Sequence, residues 1–386
     1  MGLTKAGVET FGAVAASHVG PDRVPGLVAL VAQGDDEHVE AMGELAVGGR
    51  PVERGALFRI SSTTKPITAV ATLALVREGL VDLDEPVDRL LPELADRRVL
   101  RRSDGPLEET VPAERPVTAR GLLTFTFGFG MAAEMFSAPE PWPVVTAAQE
   151  AGLATIGPPQ PDHFVAPDAW IVGLGRLPLL AQPGERWLYN TGMHVLGVLC
   201  ARAAGTTYDE VLRTRVLDPL GMRDTGFHTA DVGRLATAYA ATAEGLAVWD
   251  PPDGQWSRPP LFPDAAAGLL STVDDLWAFG RMLLRGGEPV LTPEQVRELG
   301  RDHLTAGQRQ AGDAFLDGRG WGLGTSVVRT GPWAGAIGWD GGLGSSFLVH
   351  PARDLAVIVL TQRLFDTPQA TAVHTDLQAA ALDAAR

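Results

Sequence analysis

Short apolar runs bounded by turn residues cluster at the two ends of this chain, and helical patterns fill the stretch between them, an order that confines strands to the terminal segments. Near the start, residues 26 to 33 (GLVALVAQ) and 56 to 60 (ALFRI) read as buried strands, the beginning of a sheet. Near the end, GWGLGTSVV, GGLGSSFLVHP and DLAVIVLTQ read the same way, before a closing helix near residues 367 to 385. Between them, residues 80 to 310 alternate helical patterns such as VLGVLCARAAG and DDLWAFGRMLLRGG with Pro- and Gly-rich loops at 103–116, 137–143, 157–168 and 249–264. At 386 residues the chain exceeds an ordinary single domain, so it forms one large two-part fold or two domains with a deep seam. No internal repeat interrupts this order.

Charge and composition then remove whole classes of function. A formal net charge of -15, with arginines spread along the chain, argues against a nucleic-acid partner, which needs clustered cations. The single cysteine, Cys200, allows neither an intramolecular disulfide nor a thiolate cluster, and its apolar run VLGVLCARAA makes it a buried helix residue. Glu9 breaks the only apolar stretch near the N-terminus, and no segment reaches membrane-spanning length, so we expect a cytoplasmic protein with no membrane partner. His163, His194, His228 and His350 lack ligand spacing and read as surface or loop histidines, so neither a metal nor another cofactor is expected. No serine is flanked by glycines two places before and after, which leaves a nucleophile elbow and a Ser-His-Asp triad without support.

The segment Ile60-Ser61-Ser62-Thr63-Thr64-Lys65-Pro66 places hydroxyl residues suited to capping beside a proline tolerated only in a first helical turn. The following PITAVATLALVRE is apolar almost all round and stops at Gly79, as a buried central helix would. A helix that starts at or next to Ser62 puts Ser62 and Lys65 on one face, near free backbone N–H groups. Attack on a carbonyl needs a hydroxyl, a base and donors for the developing oxyanion. Lysine occurs only at positions 5 and 65, every other cationic side chain being arginine. Arginine cannot give up its proton and lysine can, so position 65 points to a titratable amine, with burial favouring its neutral form.

Two later segments join this one: Pro183-Gly184-Glu185-Arg186-Trp187-Leu188-Tyr189-Asn190-Thr191-Gly192, a loop entering a helix, and the glycine-rich strand edge Ile337-Gly338-Trp339-Asp340-Gly341-Gly342. With GLVDLDEPVDRLLPE (79–93), PVTARGLLTFTFGFG (116–130), DPLGMRDTGF (218–227), AAGLLSTVDDL (266–276) and GWGLG (320–324), the chain resembles the serine β-lactamase and penicillin-binding-protein superfamily over nearly its whole length. The likeness is to the class C β-lactamase-like branch that includes family VIII carboxylesterases and related acyltransferases. It implies an α+β fold: residues 1–65 and 315–386 build a domain with an antiparallel sheet and flanking helices, residues 66–314 a mainly helical domain, and the active site lies at the seam. It also implies that Tyr189 accepts or relays the Ser62 proton, and that the backbone N–H groups of Ser62 and Gly342 form the oxyanion hole.

Departures from the family pattern shift the expected substrate. The family's Tyr-x-Asn becomes Tyr189-Asn190-Thr191, with the asparagine displaced, and its Lys-Thr-Gly becomes Trp339-Asp340-Gly341. A substrate carboxylate thereby loses its cationic partner and meets Asp340 instead. Tyr189 and Lys65 are then a coupled pair sharing one proton, with the base unassigned. Phe125 and Phe127, with Phe129, Trp142 and Trp170, are candidates to line an apolar acyl pocket, and Trp339, Asp340, Gly341 and Asn190 are candidates to contact substrate. A carboxylesterase acting on small apolar esters through an acyl-Ser62 intermediate is the expected function. A D-amino acid peptidase or amidase, a weak β-lactamase, and a catalytically silent binding protein are the competing ones.

Overall fold

A computed structural model describes residues 2–153 and 157–385. Its central sheet has seven antiparallel strands: β1 (Gly26–Gln33), β2 (Asp36–Gly43), β3 (Gly320–Trp321), β4 (Ser326–Val327), β5 (Ile337–Gly341), β6 (Ser345–His350) and β7 (Leu355–Thr361). Their spatial order is β2-β1-β7-β6-β5-β4-β3, so the first and last thirds of the chain meet where Leu30 of β1 pairs with Ile358 of β7. All eight residues of β1 are buried. Leu27, Ala29 and Val31 pack with Phe11 of helix α1 (Lys5–His18) and Leu377 of the closing helix α5 (Pro368–Ala384), while Val28, Leu30 and Ala32 enter the larger core on the other face. Coverage of both faces is why this antiparallel strand reads as a continuous apolar run.

Helix α2 (Thr64–Arg77) is buried from Thr64 to Leu75 and is followed by Gly79 at φ +73°, the left-handed ending that glycine favours. It packs between β5 and helix α3 (Thr191–Ala204). Helix α4 (Val273–Leu284) lies on the sheet face opposite α1 and α5, with the Phe279 and Phe347 rings 5.5 Å apart. This helix, from the stretch between the terminal segments, thus packs directly on the sheet. No described helix is long and apolar enough to cross a membrane.

Three strand expectations change, the first being that strands are confined to the terminal segments: in the middle of the chain Arg98–Leu100 pairs with Thr110–Pro112, and Ala238–Thr242 with Gly245–Asp250. Within residues 56–60 only Phe58–Arg59 is extended, and it pairs with Leu270–Ser271 outside the main sheet. The second strand of the main sheet is instead DEHVEAMG, β2, none of whose residues is buried. An edge strand half open to solvent needs no apolar run, so composition does not reveal it.

Candidate active site

Ser62 sits in a single 3-10 turn, Ser61–Thr63, between Ile60 and α2. The hydroxyls expected to cap the helix make no side-chain cap. Of these hydroxyls, that of Thr63 serves a clamp onto the sheet instead. Ser345 Oγ of β6 donates to Ile60 O at 2.6 Å and lies 2.9 Å from Thr63 Oγ1. A Cβ on Gly341 would fall 2.1 Å from Ile60 O, so only glycine lets β5 approach this closely. Ser61 occupies the left-handed region at φ +44°, a conformation that costs a non-glycine residue energy and persists only where neighbours enforce it.

One turn on, Lys65 Nζ donates to Ser62 Oγ at 2.8 Å and to Ala266 O at 2.9 Å. Lys65 is fully buried, and that desolvation brings its amine down to about 7, against the opposing charge of Asp264.

Tyr189 reaches Ser62 from the helical side. Its backbone pairs with Met131 in both directions, N to O at 2.9 Å and O from N at 2.8 Å, and Leu188 N donates to Phe125 O at 2.8 Å. The segment LLTFTFGFG is therefore the mould that sets this tyrosine. The Tyr189 hydroxyl donates to Ser62 Oγ at 2.9 Å and accepts from Trp339 Nε1 at 2.7 Å. Burial pushes the phenol up to about 12, the bonds to Ser62 and Trp339 pull the other way, and Asp340 adds to the rise. Burial thus disfavours the charged form of both groups, the phenolate of Tyr189 and the ammonium of Lys65.

These groups open onto a cavity of about 700 Å³ that Ser62, Tyr189, Asn190, Trp339, Asp340 and Gly342 line. Met131, Phe164, Phe315, Leu343 and Phe365 give it apolar walls. Thr371, His374, Thr375 and Gln378, at i, i+3, i+4 and i+7 of α5, form a polar one. Among the described residues its charged lining is acidic apart from Arg319, which donates to Asp340 Oδ2 at 3.2 Å, while Ser346 Oγ donates to Asp340 Oδ1 at 2.6 Å.

The expected acyl-pocket aromatics lie elsewhere. Phe125, with no exposed surface, stacks on Trp321 at 4.9 Å and meets the Tyr189 ring edge-on at 5.6 Å, so it supports the tyrosine from behind. Phe127 and Trp170 are also fully packed and do not line this cavity. Gly341 acts through its contact with Ile60 rather than in the lining. Asn190 lines the cavity at φ +81°, ahead of α3, and makes no side-chain cap there.

Sequence reasoning missed Met131, Phe315, Arg319, the α5 wall and a buried pair, His194 and Asp264. His194, expected at the surface, is 1% exposed within α3, its Nε2 lying 3.2 Å from Asp264 Oδ1. His350 is buried as well, whereas His163 and His228 are exposed. A histidine inside the apolar run MHVLGVLC was the available signal, because a polar ring there needs a partner. Cys200 is the buried helix residue expected. Among the described residues no cluster of His, Cys, Asp and Glu is arranged to hold a metal ion.

The family model described as Beta-lactamase matches residues 11–382. Protein Rv1367c of Mycobacterium tuberculosis (strain ATCC 25618 / H37Rv) is 36% identical over 336 residues, covering 82% of this chain and 80% of its own length. Esterase EstB of Burkholderia gladioli is 30% identical over 376 residues, covering 89% and 87%. Among solved structures, EstCE1, a hydrolase with promiscuous acyltransferase activity, shares the fold with a TM-score of 0.81 at 23% identity over 98% of each chain. With a family match that runs almost from end to end and a relative of that identity aligned over most of both chains, the protein belongs to the β-lactamase family.

Proposed function

We propose that the protein is a serine esterase with acyl-transfer capacity, in which Ser62 is the nucleophile, Lys65 the base and Tyr189 a neutral hydrogen-bond relay. The observation that carries this reading is the set of contacts at one atom: Ser62 Oγ lies 2.8 Å from Lys65 Nζ and 2.9 Å from the Tyr189 hydroxyl, at the wall of an open cavity. Neutral Lys65 takes the Ser62 proton as Oγ forms its bond to the ester carbonyl carbon. The backbone N–H groups of Ser62 and Gly342 receive the oxyanion. Collapse breaks the bond to the alcohol oxygen, which leaves with the proton from Lys65, handed on through Tyr189, and acyl-Ser62 remains. Water or a second alcohol then repeats the sequence in reverse.

Ester substrates fit better than β-lactams because Arg319, the one arginine or lysine among the described residues lining the cavity, is committed to Asp340, while Asp264, Asp317 and Asp366 also line it. A carboxylate brought here meets repulsion. The activity that the name of the B. gladioli relative carries, esterase, supports the same reading. The test is a panel of p-nitrophenyl butyrate, neutral and carboxylate-bearing esters, D-amino acid amides and a penicillin, with intact-mass detection of acyl-Ser62. We expect ester turnover, slower reaction of carboxylate-bearing esters, and no reaction after Ser62→Ala. Ester hydrolysis that survives Ser62→Ala, or faster turnover of the penicillin or the amides than of neutral esters, overturns it.

A further inference from the structure

The polar stripe of α2 docks on residues 264–269, the segment DAAAGL. Thr64 Oγ1 accepts from Leu269 N at 3.3 Å, Thr68 Oγ1 donates to Ala265 O at 2.6 Å, and between them Lys65 Nζ donates to Ala266 O at 2.9 Å. The other side of the Ala266 residue belongs to Asp264: Ala266 N donates to Asp264 Oδ1 at 2.7 Å, and Ala267 N to the same oxygen at 3.2 Å. Asp264 is 3% exposed, so its charge is not spent on solvent. Burial alone would raise its carboxyl, yet His194, the Ala266 N–H and Lys65 together hold it below the ordinary value. His194 Nε2 at 3.2 Å is its side-chain partner, while His194 Nδ1 is buried without one. The ring is boxed by Phe164 at 5.6 Å and Trp170 at 5.5 Å, which fixes its direction.

We infer that Asp264, held by His194, is a positioning residue for Lys65: it fixes the Ala266 peptide that orients the amine and supplies the negative charge that stabilises the ammonium formed when Lys65 takes the Ser62 proton. This rests on the proposed role of Lys65 as base. In acylation the Ser62 O–H bond breaks and its proton moves to Nζ, while the electron pair on Oγ makes the new bond to carbonyl carbon. A cation thereby appears in a fully buried position, where an uncompensated charge is costly. Asp264 offsets that cost before the substrate arrives, as a preorganised charge should. The titratable groups facing Lys65 are Tyr189 from the loop before α3, with Asp340 of β5 behind it, and Asp264 with His194 behind it; α2 itself contributes none within its buried span.

Two substitutions move the pH profile in opposite directions. Asp264→Asn keeps an acceptor for the Ala266 N–H and deletes the charge, so the acid limb of kcat/KM moves down by about one pH unit, the low end of what a neighbouring carboxylate does to an ammonium. Because the amine is then a weaker base, the plateau also falls, by about threefold or more. His194→Phe strips the carboxylate of its donor, leaves its full charge to Lys65, and moves the acid limb up. A packing fault would lower activity in both variants without displacing the two limbs oppositely. Fluorophosphonate labelling of Ser62 counts competent sites, so the profiles are read per active site and from either variant alone if the other does not fold. Acid limbs that coincide with wild type overturn the role of Asp264 and leave the esterase reading intact. Wild-type protein that neither labels at Ser62 nor turns over esters overturns that reading, and the inference with it.

Discussion

Replacing Trp339 by phenylalanine tests which partner of Ser62 carries the charge. The indole Nε1 donates to the Tyr189 hydroxyl at 2.7 Å, and phenylalanine deletes that donor while keeping an aromatic ring against Trp321, now 4.9 Å away edge-on. If Tyr189 stays neutral through the reaction, the lost bond is one between uncharged groups, worth about 0.5–1.5 kcal/mol. At about 1.4 kcal/mol per factor of ten, that predicts a roughly 2- to 13-fold fall in kcat/KM. If Tyr189 instead becomes a phenolate, the same bond is charge-assisted, worth about 1.5–3 kcal/mol, and the fall lies between roughly 13- and 160-fold. The burial that pushes the phenol up to about 12 favours the smaller figure. The assay is p-nitrophenyl butyrate hydrolysis per fluorophosphonate-titrated site across the neutral range. A loss near 100-fold, accompanied by a displaced pH profile, would refute Lys65 as the base and return the role to Tyr189.

Three other outcomes follow from the same geometry. Lys65→Arg keeps a cation beside Ser62 Oγ but removes the titratable amine, so kcat should fall by about 100-fold or more; wild-type turnover would remove the basis for the lysine's role. Because burial brings the Lys65 amine down to about 7, and the neutral form is the active one, wild-type kcat/KM should climb about tenfold per pH unit below 7 and level off above it. A profile already flat at pH 5 contradicts that assignment. Gly341→Ala pushes a methyl group to 2.1 Å from Ile60 O, which must displace the Ser61–Thr63 turn; fluorophosphonate labelling should slow by roughly tenfold, with a destabilisation of about 1–3 kcal/mol in urea titration. Unchanged labelling would mean that the close approach of β5 does not set the nucleophile.

What the sequence reveals of this site follows from how local the signal is. Ser62 and Lys65 are legible because one helical turn fixes their spacing, and because Lys65 is one of only two lysines in a chain whose other cations are arginine. The strands β1, β6 and β7 are legible because they are buried on both faces. Asp264 and His194 are not, since they lie 70 positions apart and each alone has the look of an ordinary polar residue. Phe125 misleads for the opposite reason: an aromatic near a site motif reads as pocket lining, but whether it faces substrate or supports a neighbour depends on a backbone turn that composition does not encode. Arg319 and the α5 wall enter the cavity only through the return of the C-terminal segment across the sheet.

That backbone turn is part of a wider arrangement. Of the six described non-glycine residues with positive φ, three adjoin the groups proposed to act: Ser61 at +44° before Ser62, Asn190 at +81° after Tyr189, and Phe125 at +58° behind it. Each such conformation costs about 1–3 kcal/mol and persists only where surrounding contacts enforce it. Those contacts are visible: Ser345 and Gly341 against Ile60, the two-way Met131–Tyr189 pairing, and Leu188 N on Phe125 O. The first set comes from the central sheet and the others from the segments around Phe125 and Tyr189. A contact set at Ser62 Oγ already within 2.8–2.9 Å of both partners therefore needs no closing motion to form, because the strain is held by the packing of two layers onto one turn. It also follows that loosening either layer, by Gly341→Ala on one side or by enlarging the mould around Phe125 on the other, should cost activity before it costs the fold.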